Sequence, residues 1–473
     1  MTISGMQYRI AAIVLGSLLS LFAQAADFDP FGTGSDVVIP PDLHTRAAND
    51  VLAPCAAHIL DKPLDLADAT DLALCSSPKT REAWANAKAQ AAQIGVAQSA
   101  YLPQLSASAT KIRGNYASSV AELPELDYQQ YSNSKDASLN LTWTLYDFGA
   151  RSAHLENARQ LLNAANATQD GAMQAVFADT AQAYYRLQSA RGSLDAAEEA
   201  QQAALTSFDA ADAKYRAGVG SLADKLQAQT GLNQARLSRG KAEGDLKTAR
   251  GTLAVAMGLA PNAEFTIAPA PDVRSHSGFT QSIEHYLELA TKQHPSIAAA
   301  RAQLDAAKAD IDAARAEGLP LLQLTGGLDR NTQPGQYSLD TTTRTNTIGV
   351  QLRVPLFEGF GRSYRIQAAK AQAESKEAEL AATERQVALD VWTAYQNLMT
   401  QLANLDTVSE LLQSAQSSFD VAQGRYKAGV GTLVELLNAQ TALANARQQK
   451  VQIQADLQNA RVRLAVSLGQ LDM

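Results

Sequence analysis

Residues 207–236 read SFDAADAKYRAGVGSLADKLQAQTGLNQAR, and residues 418–447 read SFDVAQGRYKAGVGTLVELLNAQTALANAR. The match continues without a gap for 22 further residues, and roughly half of the positions are identical. The same offset of 211 residues relates Arg151 to Arg362. The chain of 473 residues is therefore an internal duplication, and each half is expected to fold in the same way.

The duplicated stretches predict long helices that reverse direction at glycine turns. No proline occurs between Glu125 and Ala260 or between Leu356 and Met473, and such windows permit very long helices. The strong break in each window is Ala-Gly-Val-Gly, where glycine can supply a positive φ. The turn glycines are Gly218, Gly220, Gly429 and Gly431. Each half is predicted to hold an outgoing helix of roughly 100 Å and a shorter return helix. The predicted bounds are 149–217 and 221–257 in the first half, and 361–428 and 432–468 in the second.

Two segments with a period of two residues predict β-hairpins. Leu139, Leu141 and Trp143 alternate with polar residues, and the segment from Ile348 to Leu356 alternates in the same way. This pattern is typical of strands with one apolar and one polar face. The predicted hairpins are 104–146 and 321–357. Each follows an alanine-rich helical stretch that ends at a Leu-Pro pair, and these stretches are 64–102 and 283–319.

The N-terminal region has the features of an exported chain. Residues 1–25 contain Arg9, an apolar run from 10 to 22 and the pattern Ala-Gln-Ala, which together indicate a secretory signal peptide. Residues 26–63 are expected to form a periplasmic extension that includes Cys55. An even number of cysteines in an exported chain predicts a disulfide between Cys55 and Cys75, and the alternative is two free thiols.

Composition and motif content argue against nucleic acid binding and catalysis. The chain has 40 Lys and Arg against 48 Asp and Glu, which gives a net charge of −8 and a pI near 5.4. An acidic chain is a poor partner for a phosphate backbone. The sequence has no P-loop and no nucleophile elbow, and its six histidines form no i,i+4 pair. We therefore expect no enzyme, no cofactor and no metal site.

The strand count indicates an oligomer. Four strands cannot close a barrel, and an open sheet edge in hydrocarbon leaves backbone groups unsatisfied at several kcal/mol each. Export together with strands that have an apolar face therefore predicts copies that share one barrel in an outer membrane, continued by a tube of paired helices. The alternative from a different class is a periplasmic coiled-coil scaffold or adhesin, which has no need of lipid-facing strands.

Several short motifs resemble one known family. The hairpin-to-helix junctions LYDFG at 145–149 and LFEGFG at 356–361, with the paired Tyr-x-Ala-Gly-Val-Gly-(Ser/Thr)-Leu turns, resemble the TolC outer-membrane efflux and secretion family. The resemblance covers residues 64–470. The cysteine pair and the stretch at 73–104 are most similar to the type I secretion branch, including CyaE-like channels.

The resemblance implies a mainly α-helical, TolC-like α/β-barrel chain with a membrane β-barrel. Four strands per protomer would enter a shared 12-stranded barrel of a homotrimer in the outer membrane of a Gram-negative bacterium, above a long periplasmic α-helical barrel. The implied segments are a first repeat at 64–258, a linker at 259–282, a second repeat at 283–470 and an end segment at 471–473.

The same resemblance implies the function and the partners. The chain would be the exit duct of a tripartite system that passes a protein outwards in a single step by type I secretion. Multidrug or small-molecule efflux is the alternative within the family. The implied partners are outer-membrane lipid, a periplasmic adaptor, and an inner-membrane ABC or proton-driven transporter.

The resemblance also assigns a gate to the helix turns. Asp224 and Glu435 match acidic residues that narrow the pore in the family, and Asn438 stands where a second constricting aspartate is found. Tyr426 matches a tyrosine of the closing network, but the position of its arginine partner is Gly431. A ring of Glu435 side chains would favour cations. The alternative is a solvated charge that the helix dipole stabilises.

Aromatic residues cluster at the predicted strand ends. An aromatic girdle at the membrane interface is the favoured interpretation, and a ligand-binding box is the alternative. The residues are Trp143, Tyr146, Phe148, Phe357 and Phe360.

Overall fold

A computed structural model of the chain describes residues 29–37, 62–119, 121–269, 282–334 and 340–469. The predicted signal peptide, most of the N-terminal extension with Cys55, and residues 471–473 lie outside the described residues. No helix within the described ranges is both long enough and apolar enough to cross a membrane.

The described chain consists of two similar series of helices and strands. The first series is α1 (Leu66–Ser76), α2 (Pro78–Ser99), β1 (Gln104–Ser118), β2 (Tyr128–Tyr146), α3 (Ala150–Arg216) and α4 (Leu222–Ala256). The second series is α5 (Ile283–Gln293), α6 (Pro295–Ala316), β3 (Leu321–Pro334), β4 (Asp340–Arg353), α7 (Gly361–Lys427) and α8 (Leu433–Ser467). Short 3₁₀ helices lie at Thr33–Asp36 and Pro124–Leu126. The predicted fold class, a mainly helical duplicated chain with two hairpins, is confirmed. The trimer and its shared barrel involve further copies of the chain and stay predictions.

The helical stretch before each hairpin is two helices, whereas the sequence pattern predicts one. Ser77 and His294 separate the helices, with extended backbone angles at φ −64°, ψ 129° and φ −68°, ψ 125°. The following residues, Pro78 and Pro295, are the first residues of α2 and α6. Proline disfavours helical angles in the residue before it and is well tolerated at the first position of a new helix. Each proline therefore ends one helix and begins the next.

One compact unit contains the sheet, and it comprises the described residues within 1–38, 87–163 and 302–376. Its four antiparallel strands have the order β1-β2-β3-β4. The two hairpins meet at the centre, where Leu139 of β2 lies opposite Ala107 of β1 and Leu328 of β3. A bulge between Thr144 and Tyr146 interrupts the β2–β3 ladder.

The end of the second hairpin differs from its predicted position. The alternating pattern predicted strand as far as Leu356 and a hairpin end at 357, but β4 ends at Arg353. Pro355 explains the difference, because proline cannot donate a ladder hydrogen bond and restricts the residue before it. Val354 and Leu356 therefore belong to the junction with α7.

The second compact unit comprises the described residues within 39–86, 164–301 and 377–473, and it holds the helix turns. Leu64 makes a parallel bridge to Ile267, with hydrogen bonds of 2.8 Å from the Leu64 N–H to the Thr266 carbonyl and from the Ala268 N–H to the Leu64 carbonyl. Three hydrophobic clusters fill this unit. Their buried members include Leu64, Tyr184, Leu253 and Ile267 in the first, Tyr286, Val391, Leu457 and Leu464 in the second, and Phe419, Tyr426, Leu436 and Leu443 in the third.

Candidate functional site

Both helix turns have the same backbone geometry. Gly218 and Gly429 follow α3 and α7 with φ of 76° and 81°. The Gly218 N–H donates to the Tyr215 carbonyl and the Val219 N–H to the Lys214 carbonyl, each at 3.0 Å. This pair of bonds is a Schellman motif, and the second turn repeats it. The predicted positive φ is therefore confirmed at the first glycine of each turn.

The second glycine of each turn has a different role from the predicted one. Gly220 and Gly431 do not have a positive φ. A Cβ atom at Gly220 would lie 2.9 Å from the Lys214 Cβ, and one at Gly431 would lie 2.9 Å from the Arg425 Cβ. The second glycine is therefore required by the close approach of the turn to the last turn of the helix before it.

The predicted acidic gate residues occupy equivalent positions at the start of the return helices. The Asp224 N–H donates to the Ser221 hydroxyl at 3.0 Å, and the Glu435 N–H donates to the Thr432 hydroxyl at 3.2 Å. Both carboxylates lie in the first turn of a helix, where the helix dipole favours negative charge. Asp224 is half-buried and Glu435 is exposed. The alternative of a solvated charge therefore has a structural basis at both positions.

Tyr426 is buried at the second turn and contacts a lysine from the first. The Lys214 ammonium lies 3.7 Å from the centre of the Tyr426 ring, and it donates a hydrogen bond of 2.6 Å to the Tyr426 carbonyl oxygen. Burial raises the pKa of the Tyr426 hydroxyl, and the charge of Asp224 raises it further. Lys214 thus links the two repeats through a cation–π contact and a charged hydrogen bond.

An ion-pair cluster centred on Asp212 lies at the first turn. The Asp212 carboxylate forms ion pairs with Lys225 at 2.8 Å and with Arg216 at 2.6 Å. The hydrogen bond from Lys225 is the largest cause that lowers the pKa of the Asp212 carboxyl, and Arg216 lowers it as well. In the second repeat the matching residues of Asp212 and Lys225 are Gln423 and Leu436, so the same pair cannot form there.

An open groove of about 720 Å³ lies between α7 and α8 beside the second turn. Its lining includes Val421, Arg425, Glu435 and Asn438. The Arg425 Nε atom is 3.9 Å from a Glu435 carboxylate oxygen, and both side chains are about half exposed. Solvent weakens a pair of this kind. The structure therefore places Glu435 and Asn438 on one accessible surface, whereas Tyr426 is buried.

The hairpin-to-helix junction of the first repeat is held by an arginine. Arg151 donates to the Asp147 carboxylate at 2.8 Å and to the Thr144 carbonyl at 2.8 Å, and it lies over the Tyr101 ring at 4.7 Å. Phe148 has a φ of 54°, a conformation that is uncommon outside glycine.

The second repeat has the matching arginine with different partners. Arg362 donates to the carbonyls of Gly318 and Arg315 at 2.9 Å each, and Phe360 has a φ of 66°. In the sequence, Arg151 and Arg362 were recognised only as markers of the repeat. Their identical position in both halves was the signal that could have revealed this role.

The predicted interface aromatics lie at the junctions and are exposed to different extents. Tyr146 and Phe148 make an edge contact with ring centres 4.7 Å apart, and Phe357 and Phe360 make one at 5.5 Å. The Trp143 indole donates to the Tyr101 carbonyl at 2.9 Å. All five side chains are at least one third exposed. Their assignment to a membrane interface stays a prediction.

The structure leaves two predictions about further groups untested. Within the described ranges no cluster of three His, Cys, Asp or Glu side chains is arranged to hold a metal ion. Cys75 lies near the end of α1, but Cys55 lies outside the described residues. The disulfide therefore stays a prediction.

Comparison with known proteins gives a consistent result along nearly the whole chain. A family described as "Outer membrane efflux protein" matches residues 69–259 and 286–470, one segment for each repeat. The chain is 34% identical to Protein CyaE of Bordetella pertussis over 434 residues, which cover 91% of this chain and 90% of that protein. It is 24% identical to the alkaline protease secretion protein AprF of Pseudomonas aeruginosa, covering 86% and 85%.

The fold also matches a solved structure. The outer-membrane channel OprN aligns with a TM-score of 0.75 at 21% identity, covering 89% of this chain and 97% of that one. At this identity the match shows the fold alone.

Proposed function

The chain belongs to the outer membrane efflux protein family, and from that premise we propose that it is the outer-membrane exit duct of a tripartite system that secretes a protein. Membership of this family confirms the expected location in the outer membrane and sets aside the scaffold and adhesin alternative. The similarity to AprF, an alkaline protease secretion protein, supports a protein cargo. The similarity to CyaE supports the expected CyaE-like branch.

The observation that carries the proposal is the order of the strands. β1 and β4 lie at the two edges of the sheet, and within the described residues neither has a second neighbour. Because an unpaired edge is costly in hydrocarbon, three copies that pair β4 of one protomer with β1 of the next provide a closed 12-stranded barrel.

The proposed partners follow from the same arrangement. A duct without an energy source needs an inner-membrane transporter, either an ABC or a proton-driven one, and a periplasmic adaptor that joins the two. Outer-membrane lipid would surround the barrel.

We further propose that the two helix turns form the periplasmic gate. Glu435 and Asn438 are exposed and available to a pore, Asp224 stands at the matching position of the first repeat, and the Lys214–Tyr426 contact ties the two turns of one protomer together. Opening the gate would separate Lys214 from Tyr426.

Assembly and conductance test the duct. The full-length protein should purify from outer membranes as a trimer that dissociates on heating in detergent, and it should conduct ions in planar bilayers. A monomer that does not conduct would contradict the proposal.

Cargo is tested by comparing secreted proteins. Deletion of this gene should remove a specific large protein from the culture supernatant, and complementation should restore it. An unchanged supernatant with increased sensitivity to small toxic compounds would instead support the efflux alternative.

A further inference from the structure

Five cations lie together on one face of the sheet. We name Lys111, Arg113, Lys135, Arg330 and Arg344 the rim cations. Lys111 of β1 lies directly opposite Lys135 of β2, and Arg330 of β3 lies directly opposite Arg344 of β4. Arg330 is also opposite Ala137, two residues from Lys135. Because directly paired residues share a face and side chains alternate along a strand, the register places all five on the face of Leu105, Leu139 and Leu328.

In this arrangement, like charges lie directly opposite each other, and no acidic residue lies in the same row on that face. All five side chains are exposed. In the described rows from Trp143 to Lys111, that face holds no acidic residue, because Asp136 and Asp329 have the opposite register and lie on the other face. Asp340 occupies a register position on the same face one row further along β4. No ion pair to the rim cations is found among the described residues. Like charges directly opposite each other destabilise a sheet, so the arrangement calls for anions from outside the chain.

The rim cations stand at one end of the apolar band. Lys135 lies eight residues from Trp143 along β2, which is about 27 Å along the strand and about 20 Å along the membrane normal at a tilt of about 40°. The apolar band of a transmembrane barrel is about 25 Å tall. The cations therefore stand near the far edge of the apolar band, at the end of the sheet away from the helices, where long Lys and Arg side chains can extend to the lipid headgroups.

An open groove joins the cations to the apolar band. Its volume is about 550 Å³, and its lining includes Ala107, Ala137, Leu139, Leu328, Arg330 and Arg344. Three further residues line the groove and alternate along the strands with the residues just named, and they are Ser108, Ser138 and Asp329. The small alanine side chains leave room beside Leu139 and Leu328, directly next to the two guanidinium groups.

We propose that the rim cations bind the phosphate groups of a phosphorylated glycolipid of the outer leaflet, with an acyl chain of the lipid against the groove. This inference rests on the proposed function, since it needs the sheet to be inserted in the outer membrane. The paired guanidinium groups of Arg330 and Arg344 suit bidentate phosphate contacts, and Lys111 and Lys135 add charge beside them. The bound phosphates neutralise the opposed like charges.

The test measures binding of diphosphoryl lipid A to the purified full-length trimer in detergent, by native mass spectrometry at increasing lipid concentration. Each cation removed should weaken binding about five-fold. Arg330→Gln with Arg344→Gln should therefore weaken it by about 25-fold, and Lys111→Gln with Lys135→Gln by a similar factor. The matched control is Arg236→Gln with Lys241→Gln on α4, which removes the same charge from exposed positions and should leave the affinity unchanged.

A second probe requires no variant. Dephosphorylated lipid A should bind the unmodified protein at least 25-fold more weakly than the diphosphoryl form, and millimolar inorganic phosphate should not displace the bound lipid. Equal binding of the two lipids, wild-type affinity of the double variants, or displacement by phosphate alone would each overturn the inference. A trimer that conducts ions but does not prefer the phosphorylated lipid refutes only this inference, whereas failure to form a conducting trimer refutes the proposed function.

Discussion

The two helix turns share a backbone but differ in the charges around it. Each has a Schellman motif, a glycine with positive φ and a second glycine packed against the preceding helix. The first turn adds the Asp212 ion pairs, whereas the second has Gln423 and Leu436 at the matching positions. Duplication has therefore kept the residues that determine the chain reversal and has let the surrounding contacts diverge.

Substitutions that disturb the shared backbone geometry should have the largest effects on stability, and these effects should be equal in the two turns. Gly218→Val and Gly429→Val each place a β-branched residue at positive φ, which should cost about 2 kcal/mol. The measurement is the apparent Tm of the full-length protein, with the exposed Val219→Ala as the control. A clear difference between the two glycine variants would contradict the equivalence of the turns.

Removing Lys214, which contacts the other repeat, should cost more stability than removing the matching residue of the second repeat. Lys214→Met removes the cation–π contact and the hydrogen bond to the Tyr426 carbonyl, which should cost about 1.5 kcal/mol and raise the open fraction of the channel. Arg425→Met is the matched change in the second repeat and should cost about 0.5 kcal/mol, since Arg425 makes only exposed contacts. Thermal unfolding and single-channel recording measure both. Equal effects would show that Lys214 does not link the turns.

The next largest difference between the two turns should be the dependence of their stability on pH. The folded-state pKa of Asp212 is lowered from 3.8, so its ion pairs stabilise the fold above the unfolded value of about 3.9 and are lost as the pH falls through the folded value. Asp212→Asn should therefore lower the Tm at pH 7 by a few degrees and much less at pH 3. Asp209→Asn, which removes the same charge from an exposed position on α3, is the control. A pH-independent effect of Asp212→Asn would contradict the ion-pair interpretation.

Substitution of the gate residues should cause the smallest change in stability. Asp224→Ala and Glu435→Ala should each cost less than about 1 kcal/mol through the helix dipole. If they constrict a pore, the double variant should also raise single-channel conductance and reduce cation preference in planar bilayers. Asn438→Ala, which carries no charge change, is the control for selectivity. A loss of stability with unchanged conductance and selectivity would leave only the dipole interpretation.

Much of the fold could be predicted because it depends on local signals that occur twice. The repeat, the glycine turns and the period-two segments identified the helices and the hairpins. The breaks at Ser77 and His294 were missed because Pro78 and Pro295 begin new helices, a role that a helical pattern does not reveal. The early end of β4 was missed because alternation continues beyond Arg353, although Pro355 cannot continue the ladder.

The contacts of the turns could not be predicted to the same extent. Lys214 meets Tyr426 across 212 positions of sequence, so the pairing depends on how α3 packs against α7, and no periodicity encodes that. Asp212 and Lys225 lie on opposite sides of the turn, and each reads as a solvated helix charge until the chain reversal brings them together. The position of Gly220 was recognised, but its close approach to Lys214 needed coordinates.

The pairing of β2 with β3 has a consequence for assembly. Because both strands belong to one chain, this central seam forms intramolecularly, at an effective concentration set by the connecting segments rather than by the number of copies in the cell. In the proposed trimer, only the seam between β4 of one protomer and β1 of the next would depend on encounters between subunits. Fusion of the two hairpins in one chain would thus halve the number of intermolecular seams in the twelve-stranded ring, from six to three.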